Sequence, residues 1–420
     1  MAADRAALRF FMARTSLDAL YSAPPMERLL LTFTGRDAPG ITARITEVLA
    51  AAGAHLDDVE QVVVQGFLVL GFAVRFDSRE SEERALKELL YAAKQRGLSL
   101  EYAPLPEADA APRQRFAVTA IARRLGPEDL HAVSGALASH GANIESIHRL
   151  SEGGLQSVEF AVSLPADVDA SALKRALLAA AGEGSFDCAL QKESLLRRSK
   201  RLVVMDMDST LIRIEVIDEL AREHGVGEQV SAITRRAMLG EMDYDRSLRE
   251  RVALLRGLRA GVLYRLAANL PLTEGAETLL RVLQRLGYRT AVISGGFSHA
   301  AEALKKRLGI DFAWSNTLEI EGGKLTGRVL GPIVNAQRKA DLLEDLARRE
   351  GVPLDQVIAI GDGANDLLML QKAGHGIAFH GRPKLREAAH TSISAMGLDA
   401  ILYLLGITGR DIQDLAEERA

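Results

Sequence analysis

The sequence predicts an α/β chain in which a doubly wound parallel-sheet domain with a small helical cap follows two smaller α+β modules. Three observations predict it. A segment of the N-terminal half recurs about 87 positions later. Beyond residue 200, short apolar runs alternate with helix-periodic stretches. Each of those runs ends in a turn rich in Asp, Ser or Gly. A chain of 420 residues, 48% apolar and 26% charged, is long enough for several cores at about 150 residues per domain. The 52 Lys and Arg against 56 Asp and Glu leave a charge of −4, which argues against nucleic acid or an anionic membrane as a partner. A single cysteine, Cys188, excludes an internal disulfide and a thiolate zinc site and favours a reducing, cytoplasmic setting. Charge-free stretches such as Gln61–Val74 stay below the roughly eighteen residues that suggest a membrane span.

The chain begins with a leader, residues 1–25, in which Arg5, Arg9 and Arg14 interleave with Asp4 and Asp18. That mixture leaves no apolar core for a signal peptide, and the folded body is expected from about Met26. The two repeats start at Arg28 and Arg115. In the first, Ile41, Ile45, Val48 and Leu49 have helical spacing and Gly53 is a C-terminal cap. Strand-like runs follow at Val62–Val64 and Phe67–Phe76, then a second helix over Glu82–Gln95. The second copy has Gln156–Leu164 as strand and Ala170–Ala181 as helix. The order β-α-β-β-α-β, twice over, is the ferredoxin-like pattern, with modules at 26–104 and 114–194. A join of four basic residues around Ser199, Arg197 to Arg201, reads as a solvated linker.

The C-terminal body spans 200–400, with a helical tail over 401–420. Its strands include Leu202–Met205, Thr290–Ile293 and Val357–Ile360, and ligands of such sheets sit at the strands' carboxyl ends. Four features lie there. Asp206 and Asp208 follow the first strand, two carboxylates able to converge on one ligand, although an Asx turn or N-cap pair has the same spelling. Gly361-Asp362-Gly363-Ala364-Asn365-Asp366 follows the third; oxygen ligands on a glycine-bent turn suit a hard cation such as Mg²⁺. A calcium loop is the rival, but no Glu stands at its twelfth position. Ser294-Gly295-Gly296 offers a hydroxyl and open backbone amides to a phosphate. Lys339, in the helical stretch 337–349, supplies a cation.

In this order, Asp-x-Asp, Ser, Lys and Gly-Asp-x-x-x-Asp, residues 201–400 resemble the haloacid dehalogenase superfamily, and the spelling DMDST resembles its phosphoserine phosphatase branch. The resemblance implies Mg²⁺-dependent hydrolysis of O-phospho-L-serine, the last step of serine biosynthesis. It makes Asp206 the nucleophile that becomes an aspartyl phosphate. Asp208 becomes the proton donor and later the base. It assigns the metal to Asp206, Asp362 and the Asp208 carbonyl, and the phosphoryl oxygens to Ser294, Gly295 and Lys339. Asn365 would reach the phosphate, and Asp366 would orient the metal shell. Residues 214–270 resemble the family's small cap, in which Glu215 would bind the substrate ammonium and Arg251 its carboxylate. Met238 would line the pocket or pack in the core. His299, His375 and His380 are expected in structural roles. A relative acting on another small phosphate, or a sensor with a relic catalytic domain, are the alternatives.

The repeats resemble ACT domains, which bind amino acids. The turn Gly35-Arg36-Asp37-Ala38-Pro39-Gly40 matches that family's strand-to-helix turn at a helix N-terminus, where a carboxylate is favoured, and Asp37 would take an ammonium. The second copy lacks this spelling but has Asn143, an amide offered to the ligand. The resemblance thus implies L-serine as an effector, bound by Gly35, Asp37, Gly40 and Asn143 as complementary half-sites, within a homodimer. A purely dimerising role for both modules is the other reading.

Overall fold

A computed structural model describes residues 28–106, 113–151, 154–183, 186–194, 196–239 and 241–417, the side chains of residues 183, 238 and 417 aside. The leader expected over 1–25 lies outside the described residues. The contacts divide the chain between residues 111 and 112 into two compact units.

The first unit is one β-α-β-β-α-β module: β1 Arg28–Arg36, α1 Ile41–Ala51, β2 His55–Val64, β3 Phe67–Arg75, α2 Arg79–Gln95 and β4 Ser99–Leu105. The antiparallel sheet has the order β2-β3-β1-β4. Alternation sets its inner face: Leu29, Leu31 and Phe33 of β1 and Leu68, Leu70, Phe72 and Val74 of β3 are buried against Ile41, Ile45, Leu86 and Leu89 of the helices. α1 enters through Gly40 at φ 84°, a left-handed conformation that glycine adopts without strain. α2 begins three residues earlier than the apolar spacing alone indicates, because Ser78 and Ser81 form a reciprocal capping box. β2 is longer than the run Val62–Val64, and every one of its residues is exposed.

The second unit opens with the other module: β5 Arg113–Ala122, α3 Pro127–Ser139, β6 Asn143–Arg149, β7 Gln156–Pro165, α4 Ala170–Glu183 and β8 Phe186–Lys192, in the order β6-β7-β5-β8. The C-terminal body follows. Strand β9 Leu202–Met205 leads into four helices, α5 Val216–His224, α6 Gly227–Met238, α7 Tyr244–Ala253 and α8 Ala260–Ala268. Then come α9 Ala276–Arg285, β10 Arg289–Phe297, α10 Ser298–Leu308, β11 Phe312–Glu321, β12 Lys324–Leu330, α11 Ala336–Arg349 and β13 Val357–Gly361. The chain closes with α12 Leu367–Lys372, β14 His375–Phe379, α13 Pro383–Ala388, β15 Thr391–Ile393, α14 Ala400–Leu404 and α15 Gly409–Glu417. The sheet has the order β12-β11-β10-β9-β13-β14-β15. Strands β11 to β15 pair in parallel through β10, β9, β13 and β14, and only β12 runs antiparallel. All four residues of β9 are buried, as expected for a central parallel strand covered on both faces.

Two expectations change here. The basic join is not solvated: Arg197 is 3% exposed, and its Nη2 donates to Glu159 Oε2 of β7 at 2.9 Å. Burying a guanidinium requires such a partner, and Glu159 also accepts from Arg198 at 2.8 Å. The segment expected as a tail starts inside the core, where Ile401, Leu402, Leu404 and Leu405 join the main apolar cluster of the body. Among the described residues, no helix is long and apolar enough to cross a membrane.

Candidate active site

The three central strands bring the predicted turns to one end of the sheet. β9 lies between β10 and β13, and the Asp206 N–H donates to the Ile360 carbonyl of β13 at 2.9 Å. This extends the ladder by one residue and fixes where the Asp206 side chain begins. Asp206 is 4% exposed. Its Oδ1 accepts from the Met207 N–H at 2.7 Å and lies 2.9 Å from Lys339 Nζ. Oδ2 accepts no hydrogen bond from the described residues.

Lys339, on α11, is fully buried and also donates to Asp366 Oδ1 at 2.7 Å. Burial alone would lower its affinity for a proton, but the charges of Asp206 and Asp366 win and raise it. Two of its three donors are therefore committed to carboxylates, so the lysine pins the predicted nucleophile as well as facing the site. The second oxygen of Asp366 accepts from the Gly363 N–H at 3.0 Å. With both oxygens engaged, Asp366 ties the metal-type turn to the lysine.

Oxygens of Asp206, Asp362 and Asp366 lie within 4.8 Å of one another. Burial, then Asp206 and Asp366, push Asp362 up to about 8; burial and then Asp206, with Lys339 opposing, bring Asp366 to about 6. Three carboxyls around one lysine leave this cluster short of positive charge. An all-oxygen donor set with that deficit fits a hard divalent cation such as Mg²⁺. Asp362 Oδ2 accepts no hydrogen bond from the described residues and Asp206 can share its Oδ1 with a cation, while Thr210 Oγ1 donates to Asp362 Oδ1 at 3.2 Å.

Asp208 points its carboxyl at the start of α5, where Oδ1 accepts from the Val216 N–H at 3.1 Å. Desolvation, then Glu215 and Asp206, hold its carboxyl well above the usual range, so the neutral acid is favoured. Beside it, a β-carbon on Gly296 would sit 2.3 Å from Asp208 Oδ2, so only glycine leaves that oxygen its place. Ser294 is buried and its Oγ accepts from the Gly296 N–H at 2.9 Å. The Gly295 carbonyl accepts from Asn316 Nδ2 at 2.7 Å and from the Tyr244 hydroxyl at 3.3 Å. Cap and phosphate-type turn are thereby joined.

Asp206, Asp208, Ser294, Gly295 and Asp362 line a cavity of about 640 Å³ together with Glu215, Arg251 and Asn365, with Lys339 and Asp366 buried behind them. Glu215 stands at the rim, exposed on its outer side, and accepts from the Ser209 hydroxyl at 2.8 Å. The cavity wall desolvates its carboxyl and, with Asp206 and Asp218, raises it against the pull of Ser209 and Arg251. Ser209 itself holds φ 57°, a left-handed conformation that costs a non-glycine residue about 1 kcal/mol.

Sequence reasoning missed Tyr244, Thr210, Asp218, Ser247, Asn316 and Arg382. The signal for two of them was present: Tyr244, Ser247, Leu248 and Arg251 all line the cavity, and their spacing i, i+3, i+4, i+7 is one helix face. The side chain of Met238 lies outside the described residues. His375 is buried, and its Nε2 meets Gln191 Nε2 at 3.2 Å; His380 meets the Met396 carbonyl at 2.9 Å. Asp37 and Gly40 lie in the exposed turn before α1, where the Asp37 N–H donates to the Gly66 carbonyl at 3.0 Å, whereas Gly35 is buried near the end of β1, packed so closely on Leu98 that a β-carbon would sit 2.6 Å from it. Asn143 is exposed at the start of β6, in the other unit.

A central nucleophile-type carboxylate, a buried lysine and an oxygen-rich turn, capped by helices, define a haloacid dehalogenase-like hydrolase. That family matches residues 200–374, and ACT domain families match 27–103 and 115–191. The chain is 44% identical to the phosphoserine phosphatase of Streptomyces coelicolor over 92% of this chain and 93% of that protein. It is 43% identical to phosphoserine phosphatase SerB2 of Mycobacterium tuberculosis over 93% and 96%. Among solved structures, a haloacid dehalogenase family hydrolase from Salmonella enterica superposes with a TM-score of 0.62 at 32% identity, covering 69% of this chain and 98% of that one. A probable phosphoserine phosphatase from Vibrio cholerae gives 0.56 at 33%, covering 72% and 89%. The chain belongs to the phosphoserine phosphatase family.

Proposed function

We propose that this enzyme hydrolyses O-phospho-L-serine to L-serine and phosphate through an aspartyl phosphate on Asp206, as the last step of serine synthesis. The observation that carries the proposal is the Asp206 carboxylate, clamped through Oδ1 by Lys339 and Met207 with Oδ2 left unbonded. Asp206 and Asp362, with the Asp208 carbonyl, would hold Mg²⁺, which when bound neutralises phosphoryl charge so that an anionic nucleophile can approach.

Asp206 Oδ2 forms a bond to phosphorus while the bond from phosphorus to the serine oxygen breaks. A serine alkoxide is a poor leaving group, and the Asp208 carboxyl, kept neutral by its buried surroundings, gives it a proton. Asp208 then takes a proton from the water that attacks the phosphoaspartate, releasing phosphate and restoring Asp206. The Ser294 hydroxyl, the Gly295 amide, the remaining Lys339 donor and Asn365 receive the equatorial oxygens. Glu215 takes the substrate ammonium and Arg251 its carboxylate, and the charge of Arg251 already acts on Glu215 across the cavity. L-serine bound at the Asp37–Gly40 turn of the first module regulates output, and the assembly is a homodimer.

Phosphate release from L-phosphoserine with Mg²⁺, repeated on Asp206→Asn, tests the chemistry: the variant should lose at least about 10³-fold in kcat, and full activity in it would sink the mechanism. Arg251→Ala should raise KM for phosphoserine while sparing p-nitrophenyl phosphate, which has no carboxylate. Equal losses on both would remove Arg251 from recognition.

A further inference from the structure

A second cavity, of about 790 Å³, lies within the second unit between α4 and β8 of the module and α13 and β15 of the body. Its wall carries three cations, Lys174, Arg175 and Arg386, and none has a carboxylate partner among the described residues. Lys174 is half-buried. Its Nζ donates only to main-chain carbonyls, those of Glu387 and Ala389 at the end of α13, and burial lowers its affinity for a proton. The acids nearby do not neutralise it. Asp187 has both carboxylate oxygens occupied by the Ser394 and Ala395 N–H groups, at 2.7 and 3.0 Å, and Glu387 is exposed.

The contrast with the rest of the junction is informative. Arg197, a few residues after β8, is buried and ion-paired with Glu159 and Glu193; among the described residues, no carboxylate lies within ion-pair distance of the cavity's three cations. Lys174 and Arg386 are half-buried and Arg175 is exposed at the mouth; half-buried cations without counter-charges are costly, and an anionic ligand would reduce that cost. Leu178, one turn after Lys174 on α4, and Phe186 of β8 also line the cavity and give a carbon skeleton apolar contact. α13 separates this cavity from the catalytic one: Arg382, its N-cap, lines the active site, while Pro383 and Arg386 line the second cavity.

We propose that this cavity binds a small polyanion, two or more carboxylate or phosphate-type groups on a short carbon skeleton, and that binding tightens α13 beside the active site. The proposal does not depend on the phosphatase mechanism, because it is read by binding alone.

The test is calorimetric titration of the full-length protein, free of divalent cation, with citrate in one arm and methylenebisphosphonate in the other. At least one probe should bind with Kd below about 1 mM, and the arm that binds identifies the anion type. The double variant Lys174→Gln/Arg386→Gln should bind at least about tenfold more weakly. Arg175→Gln, on an exposed position that folding does not use, should weaken binding with an unchanged melting temperature. Amide exchange over 382–388 should slow on binding in wild type and not in the double variant. No saturable binding by either probe, equal binding by Arg175→Gln and the double variant as by wild type, or unaltered exchange in α13 would overturn the proposal.

Discussion

Two clusters of buried charge sit in the second unit, and they are built on opposite plans. At the catalytic cup, Asp206, Asp362 and Asp366 crowd one lysine, and two of these carboxyls are pushed up to about 8 and about 6. At the junction of the second module with the body, Glu159 meets both Arg197 and Arg198, and Arg197 also bonds Gln191 Oε1 at 3.2 Å. The Arg197 Nε lies 3.1 Å from Glu193 but out of hydrogen-bond line. The second cluster has charges and partners in balance; the first does not. The imbalance belongs to chemistry, since it awaits a cation and a phosphoryl group. The balance belongs to architecture.

The largest break in this contrast should come from Lys339→Met. With its single cation gone, the cup holds only mutually repelling carboxyls, and kcat should fall on the order of 10³-fold; phosphate release by stopped assay measures it. Arg197→Ala should do the reverse. It strands Glu159 with one partner and should cost about 3 kcal/mol in denaturant unfolding, while kcat per folded molecule stays within about threefold. Should Arg197→Ala cripple turnover without lowering stability, the division into a chemical and an architectural cluster fails.

A smaller effect separates the junction by pH. His375 is buried beside Gln191, stacked on His390 at 6.0 Å, and burial together with the charges of His390, Lys200, Arg197 and Lys174 lowers its ring to about 3. A base held neutral in the folded state contributes stability that is present above about pH 6.5. That stability is lost as pH falls from there toward 3, because the unfolded chain binds the proton first. At pH 5 the loss approaches about 2 kcal/mol. His375→Gln should make the change of melting temperature between pH 7 and 5 less destabilising; His390, also lowered by burial, contributes in the same direction as His375, and the raised carboxyls of Asp362 and Asp366 in the opposite one. An identical slope in both proteins would take His375 out of the account. The smallest effect is expected from the first module: Asp37→Ala should abolish any response of turnover to L-serine and leave the basal rate within about twofold.

What the sequence made legible follows the same division. Asp206, Ser294 and Asp362 each end an apolar run, so a local reading finds the strand, the turn and the chemistry together. Lys339 and Arg251 were reached through spacing and family likeness. The balanced cluster was not legible, because Arg197 meets Glu159 across 38 positions of chain and looks like a solvated basic run until the module folds. Thr210 and Asn316 were hidden for a related reason: their contacts run to Asp362 and Gly295, set by sheet neighbours rather than by sequence neighbours. The early start of α2 was missed because a Ser-Ser capping box lacks the acidic residue usually sought at its third position.

Strand β9 is only four residues long and is hydrogen-bonded on both sides. It acts as a ruler. Because side chains alternate along a strand, adding or deleting one residue there would turn the aspartate of position 206 toward the wrong layer. Divergence in this lineage therefore has to be exported to segments that can change length freely, the helical cap and the surface connections, while the four-residue rod keeps its count.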